Sequence, residues 1–147
     1  MKYVEVLKKL RDDFNPFLNR EQETIIDETK NFLVTPARAP YVKNHLLIVP
    51  KKNVNVLKEL EHREKIEMFE LLDKWNTKLH KKHNSVNLLL RDWLVWDKSG
   101  KSVNHLHFHL IPDCPIWAEN DLKPLERKWL NDDEYKNIIK IIKKDFL

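Results

Sequence analysis

The sequence predicts an α+β fold, an antiparallel sheet of about five strands packed with helices and extended by helical segments at both ends. Three observations carry this. Short runs of strand character lie at 23–27, 31–35, 45–49, 85–90 and 104–112, without the regular strand–helix alternation of a parallel sheet. Ile66, Phe69, Leu72, Trp75 and Leu79 recur at helical spacing between the third and fourth runs. The last run sets His105, His107 and His109 alternately with Leu106, Phe108 and Leu110, a period of two that a strand sorts onto opposite faces.

Taken in order, Val4, Leu7 and Leu10 among charged residues predict a short amphipathic helix over 2–12, broken at Asn15-Pro16. Two strands follow around a tight turn at 28–30. Pro36 and Pro40 punctuate the next loop, because proline fixes φ and removes a donor. The continuous apolar run 45–49 suits a central strand covered on both faces. Asn53 is a candidate cap for a short helix through Leu60, and the longer helix comes next. A polar loop at 91–101, interrupted by Trp93, Leu94, Val95 and Trp96, leads into the histidine strand; a helix is expected over 132–145. The expectation is a single domain over 1–147, with its core at about 22–113 and a tail over 114–147.

Lys and Arg number 27 against 23 Asp and Glu, so the net charge of +4 favours anionic ligands without choosing among them. Cys114 stands alone, which precludes an intrachain disulfide and a cysteine zinc cluster and suits a reducing compartment. No apolar run approaches the roughly 20 residues of a membrane span, and the start becomes charged too soon for a secretory signal. The expected location is the cytoplasm, with no membrane partner.

Three imidazoles on one strand face offer acid–base chemistry near neutral pH, and a histidine can also attack phosphorus. His107, flanked on both sides, is the candidate nucleophile. Ser99-Gly100-Lys101-Ser102 adds two hydroxyls, a flexible backbone and a cation just before it, suited to phosphate. Zinc is the competing occupant, since imidazoles sharing a face can bind one metal; Asp97 and Asp113 are the acidic groups that folding could bring in. His62, His80 and His83 read as solvated histidines of charged stretches, while His45 opens a central strand.

On these residues the chain resembles the histidine triad (HIT) family of nucleotide hydrolases and transferases. The signature, His-φ-His-φ-His-φ-φ with φ apolar, stands here as His105 to Ile111. The family's turn before the first histidine reads here Gly100-Lys101-Ser102-Val103-Asn104, and its second landmark reads Asn44-His45 followed by an apolar strand ending Pro50-Lys51. The resemblance covers about 22–113. It implies a HIT-like fold and a reaction at the α-phosphorus of a nucleotide anhydride or phosphoramidate, such as a dinucleoside polyphosphate or an aminoacyl- or lysyl-adenylate. His107 would carry the nucleotidyl group before a nucleoside monophosphate is released. His105 and His109 would orient His107 and touch phosphate, with His45 in support; Gly100, Lys101, Ser102, Ser99 and Arg91 would bind phosphate. No cofactor or metal is implied. The partners implied are a nucleotide substrate and a second copy in a homodimer, not nucleic acid.

The chain departs from the family pattern in three places. Lys101 replaces the usual glutamine. The stretch 35–43 has no carboxylate for the ribose hydroxyls, which raises Arg38 and Tyr41 as substitutes. Counting back without gaps places Leu94 at a phosphate-binding position, and a longer loop places Arg91 there. Trp93 and Trp96 stay open between base stacking, a dimer contact and core packing. Two alternative functions remain beside the enzyme: a nucleotide-binding HIT protein without turnover, and a zinc-dependent hydrolase using the histidine row.

Overall fold

The computed structural model describes residues 17–18, 20–92, 103, 105–114 and 127–147. The expected helix over 2–12, the turn at 99–102, and Trp93 and Trp96 lie outside them. The strands are Asp27–Glu28 (β1), Phe32–Pro36 (β2), Leu46–Pro50 (β3), Val86–Leu90 (β4) and Phe108–Pro112 (β5); the helices are His62–His80 (α1) and Asp132–Phe146 (α2). All strand pairs are antiparallel and the order is β1-β2-β3-β5-β4. The expected five-stranded α+β sheet is what forms.

Alternation along the strands divides the core in two. Phe32, Val34, Leu46, Ile48 and Leu110 face α1 and the end of α2, among Met68, Leu71, Leu72, Trp75, Leu79, Ile142 and Phe146. Leu33, Leu47 and Val49 face the other way, under Phe17, Ala37 and Val103. β3 is central and buried along its whole length, as its unbroken apolar run predicts.

Several elements differ from expectation. The first strand shrinks to Asp27–Glu28, because the Thr24 amide and hydroxyl both donate to Glu21 O (3.0 and 2.7 Å) and close a 3-10 turn over Gln22–Thr24. The short helix before Leu60 is only a 3-10 turn, Leu57–Glu59; Glu59 Oε1 accepts from the Val56 amide (3.2 Å), in place of the expected Asn53 cap. On α1 the buried stripe runs through Met68, Leu71, Leu72, Trp75 and Leu79, which leaves Ile66 and Phe69 outside it, 48% and 59% exposed.

Helix α2 begins in a reciprocal capping box. The Glu134 amide donates to Asn131 Oδ1 (2.9 Å) and the Asn131 amide to Glu134 Oε2 (3.0 Å). The helix then closes the edge of β2 that the two-residue β1 leaves open: Tyr135 Oη donates to Pro36 O (2.8 Å) and accepts from Arg20 Nη1 (3.0 Å). No helix among the described residues is long and apolar enough to cross a membrane.

The same edge of the sheet is tied to α1 by Asp27 on β1, whose Oδ2 accepts from Trp75 Nε1 (2.8 Å) and Lys74 Nζ (2.7 Å). Partial burial pushes the Asp27 carboxyl up, but the bonds from Lys74 and Trp75 together outweigh it and hold the carboxyl below its ordinary 3.8. Asp27→Ala leaves the indole N–H of a fully buried tryptophan unpaired and should lower unfolding stability by about 1–3 kcal/mol at neutral pH. A group with a lowered folded-state value stabilises above its ordinary value and loses that contribution as pH falls through the folded one. The gap between variant and wild type in urea unfolding should therefore narrow below pH 3.8.

Candidate active site

The strand pairing brings the histidines together. β5 lies between β3 and β4, with Leu47 opposite His109 on one side and Leu89 opposite it on the other. Leu106 and Leu110 are buried on the α1 face and Phe108 is half-buried against it, so the histidines turn to the second face. That face is covered. His105 is 0% exposed, His107 and His109 are 8%, and the Phe17 ring lies 5.4 Å from His105 and 5.3 Å from His107 between centroids. His45 joins them from the residue before β3, its ring 5.2 Å from that of His109.

Backbone groups then fix the protons. A carbonyl oxygen only accepts, so His107 Nδ1, 2.8 Å from His105 O, carries the hydrogen and leaves Nε2 with its lone pair. His105 Nε2 likewise donates to Pro50 O (2.9 Å). A backbone amide only donates: the Tyr41 N–H gives its hydrogen to His45 Nδ1 (3.2 Å), so the proton of a neutral His45 sits on Nε2 and is donated to His109 Nδ1 (2.9 Å). His109 must then hold its own proton on Nε2. Side by side, with His107 and His109 centroids 4.8 Å apart, one ring presents an unprotonated Nε2 and its neighbour an Nε2–H.

Burial keeps the pair neutral. Desolvation pushes His45 and His109 well below the ordinary histidine value of 6.5. For His45 the charge of Arg127, then His107 and Arg91, add to this; for His109 the order is His107, His45, Arg91 and Arg127. Arg91 directly follows β4, the strand whose Leu89 lies opposite His109, and its charge acts on both His45 and His109. Arg127 reaches the site from just before α2, donating to Ala39 O (2.7 Å), with its guanidinium 3.9 Å from the Tyr41 ring centroid.

Other expectations need correction. His83 is not simply solvated: Nδ1 meets Asp113 Oδ2 (2.8 Å) and Nε2 meets Asn44 Nδ2 (2.9 Å). Asn44 and Asp113 are left-handed residues, φ 64° and 50°, one entering β3 beside His45 and the other leaving β5. The ring of His83 staples both turns. Arg38 is turned to the tail instead of a sugar: Nε donates to Leu130 O (2.8 Å), Nη2 pairs with Asp132, and the guanidinium sits 4.7 Å from the Tyr135 ring. Tyr41 serves through its amide and as the platform for Arg127. Ser99, Gly100, Lys101 and Ser102 lie outside the described residues. Among those described, no three His, Cys, Asp or Glu side chains are disposed to hold a metal ion.

Sequence reading missed Phe17, Asn44, His83 and Arg127. Asn44 and Asp113, polar residues at the two strand ends, carry a usable turn signal. Nothing local distinguishes Arg127 from the chain's other cations.

The HIT domain family model matches residues 19–115. No curated protein matches the chain in sequence. Among solved structures, the NitFhit protein of C. elegans is similar at a TM-score of 0.66 and 20% identity over 86% of this chain, which spans only 28% of the worm protein's chain. A hypothetical histidine triad nucleotide-binding protein from Sulfolobus tokodaii gives 0.62 at 20% identity, covering 84% of this chain and 83% of its own. The Plasmodium falciparum diadenosine triphosphate hydrolase gives 0.57 at 17% identity over 100% of both chains. With His45 and the whole histidine row inside the matched stretch, this chain belongs to the HIT family.

Proposed function

We propose that the protein is a nucleotidyl hydrolase or transferase that cleaves a nucleotide anhydride or phosphoramidate at the α-phosphorus, with the nucleotide held transiently on His107. The observation that carries this reading is the bond from His107 Nδ1–H to His105 O. It leaves Nε2 as a nucleophile, and it strengthens as attack makes the ring cationic, because a charged donor bonds a carbonyl more tightly. His107 Nε2 forms the bond to phosphorus while the bond to the leaving group breaks, and His109 Nε2–H gives that group its proton; the negative charge left on the His109 ring is matched by the positive charge the His107 ring gains on attack. Water then attacks phosphorus, passes a proton to His109, and releases the nucleoside monophosphate with His107 restored.

Arg91, Ser99, Gly100, Lys101 and Ser102 are assigned to the phosphates. Dinucleoside polyphosphates and aminoacyl- or lysyl-adenylates are the substrate candidates; the first accord with the diadenosine triphosphate hydrolase whose fold the chain shares. No cofactor enters this scheme.

Incubation with a panel of adenylated substrates, followed by AMP release, tests it. Wild type should turn over at least one, and His107→Asn should lose more than about 10³-fold, the scale seen when a covalent nucleophile is removed. Mass spectrometry of quenched wild type should find the nucleotidyl group on His107. Equal rates in variant and wild type would sink the assignment, and nucleotide binding without turnover anywhere in the panel would favour a binding protein.

The neutral rings also make the fold sensitive to acid. Below 6.5 the unfolded chain takes up protons at His45 and His109 that the folded chain refuses, so stability falls with falling pH, by up to about 1.4 kcal/mol per pH unit for each ring. The double variant His45→Asn, His109→Asn should show a flatter decline in urea unfolding just below 6.5 than wild type does.

We also infer a homodimer. Leu88 on β4, the outermost strand of the described sheet, and Ile66 and Phe69 on α1 are large exposed apolar residues, which supports association of two copies through this side of the molecule. In light scattering, Leu88→Arg should shift a wild-type dimer toward monomer; a monomeric wild type would refute the inference.

A further inference from the structure

Among the described residues, the segment beyond the family-matched stretch reaches back to the site through 127–130. Residues 127–130 lie along the loop before β3: the Leu130 amide donates to Arg38 O (2.9 Å), Arg38 Nε to Leu130 O (2.8 Å), and Arg127 Nη1 to Ala39 O (2.7 Å). The Arg127 guanidinium lies 3.9 Å from the centroid of the Tyr41 ring, which in turn stands 5.5 Å from the His45 ring. Tyr41 is also the residue whose amide fixes the His45 tautomer, and His45 fixes that of His109. The contacts thus form one line from the tail to the proton facing the leaving group.

The geometry points to Arg127 as a positioning residue for His109, acting through Tyr41 and His45 to keep the proton on His109 Nε2. This rests on the reaction proposed above. Two effects combine. Arg127 clamps Ala39 and Tyr41, so the amide of Tyr41 stays aimed at His45 Nδ1; and its charge disfavours a proton on either ring. Among the described residues, the titratable and charged groups acting on the couple are His107 just before β5, Arg91 after β4 and Arg127 from the tail, besides the two rings on each other. A protonated His109 would turn an Nδ1–H against the His45 Nε2–H and break the line, so a cation that opposes protonation preserves it. This is a role for the acid of the first step and the base of the second, with no demand on His107.

Two measurements separate this role from mere scaffolding. Nitrogen-15 NMR of histidine-labelled, ligand-free protein should show His45 and His109 neutral with Nε2–H in wild type. In Arg127→Gln, both should take protons at a higher pH, with His45 in mixed tautomers. Arg127→Lys keeps the charge and should hold the protonation midpoint near wild type. In turnover, a phosphoramidate with an alkylamine leaving group needs the proton and should lose about tenfold or more in kcat in Arg127→Gln. A p-nitrophenyl ester of AMP, whose leaving group departs as the anion, should change by no more than about threefold. Unchanged NMR titration in Arg127→Gln, or equal losses on both substrates, would overturn the proposal. If wild type cleaves neither substrate, the reaction assignment fails while the NMR result still decides for or against Arg127. Where Arg127→Gln does not fold, Tyr41→Leu, which removes the platform and keeps the amide, carries the same comparison.

Discussion

Two backbone groups, the carbonyl of His105 and the amide of Tyr41, determine where the protons of the site reside. Each permits one direction of hydrogen bonding only. From the first follows the unprotonated Nε2 of His107 and from the second, through His45, the protonated Nε2 of His109. Imidazole is otherwise free to exchange tautomers, so a row of histidines in water would present donors and acceptors at random. The site has direction because its outermost contacts are peptide groups, held in the segments that lead into β3 and β5.

That direction survives only where the rings stay uncharged. The face opposite α1 achieves this by burial beneath Phe17, beside Leu47 and Val49 of β3, and by the cations Arg91 and Arg127 nearby. Desolvation and like charge act with the same sign on a histidine, both against protonation. The same cations suit a phosphate-bearing ligand, so electrostatics that would otherwise strain the apo site become favourable once an anion occupies it. The cost is tolerance of acid, since the unfolded chain accepts the protons the folded one excludes.

Most of the sheet was legible because its strands alternate cleanly, and the central position of β3 followed from five consecutive apolar residues. The histidine row was legible because period two states which side chains share a face, and His45 because it opens the central strand within the family's second landmark. Where a short-range bond competed with pairing, the pattern misled, as at Thr24, whose hydroxyl and amide close a turn in what reads as a strand. Ile66 and Phe69 misled differently. Apolar spacing tells that a helix has a stripe but not which of two overlapping stripes meets the sheet, and five buried residues outweighed two. His83 and Arg127 were illegible in principle, because each is defined by partners more than 25 positions away, Asp113 and Asn44 for one and Ala39 and Tyr41 for the other.

The two halves of the site therefore differ in how they are encoded. In the proposed reaction the nucleophile, His107, is held by a bond to His105 O, two residues away in the segment that leads into β5 at Phe108. The proton donor is fixed by a line of contacts that leaves the strand, passes through the loop before β3, and ends in the tail outside residues 19–115. Substitutions along that line would alter how readily a poor leaving group departs while the attack on phosphorus stays intact. Under the proposed reaction, leaving-group preference would be set apart from the attack on phosphorus, by contacts of the tail that lies outside residues 19–115.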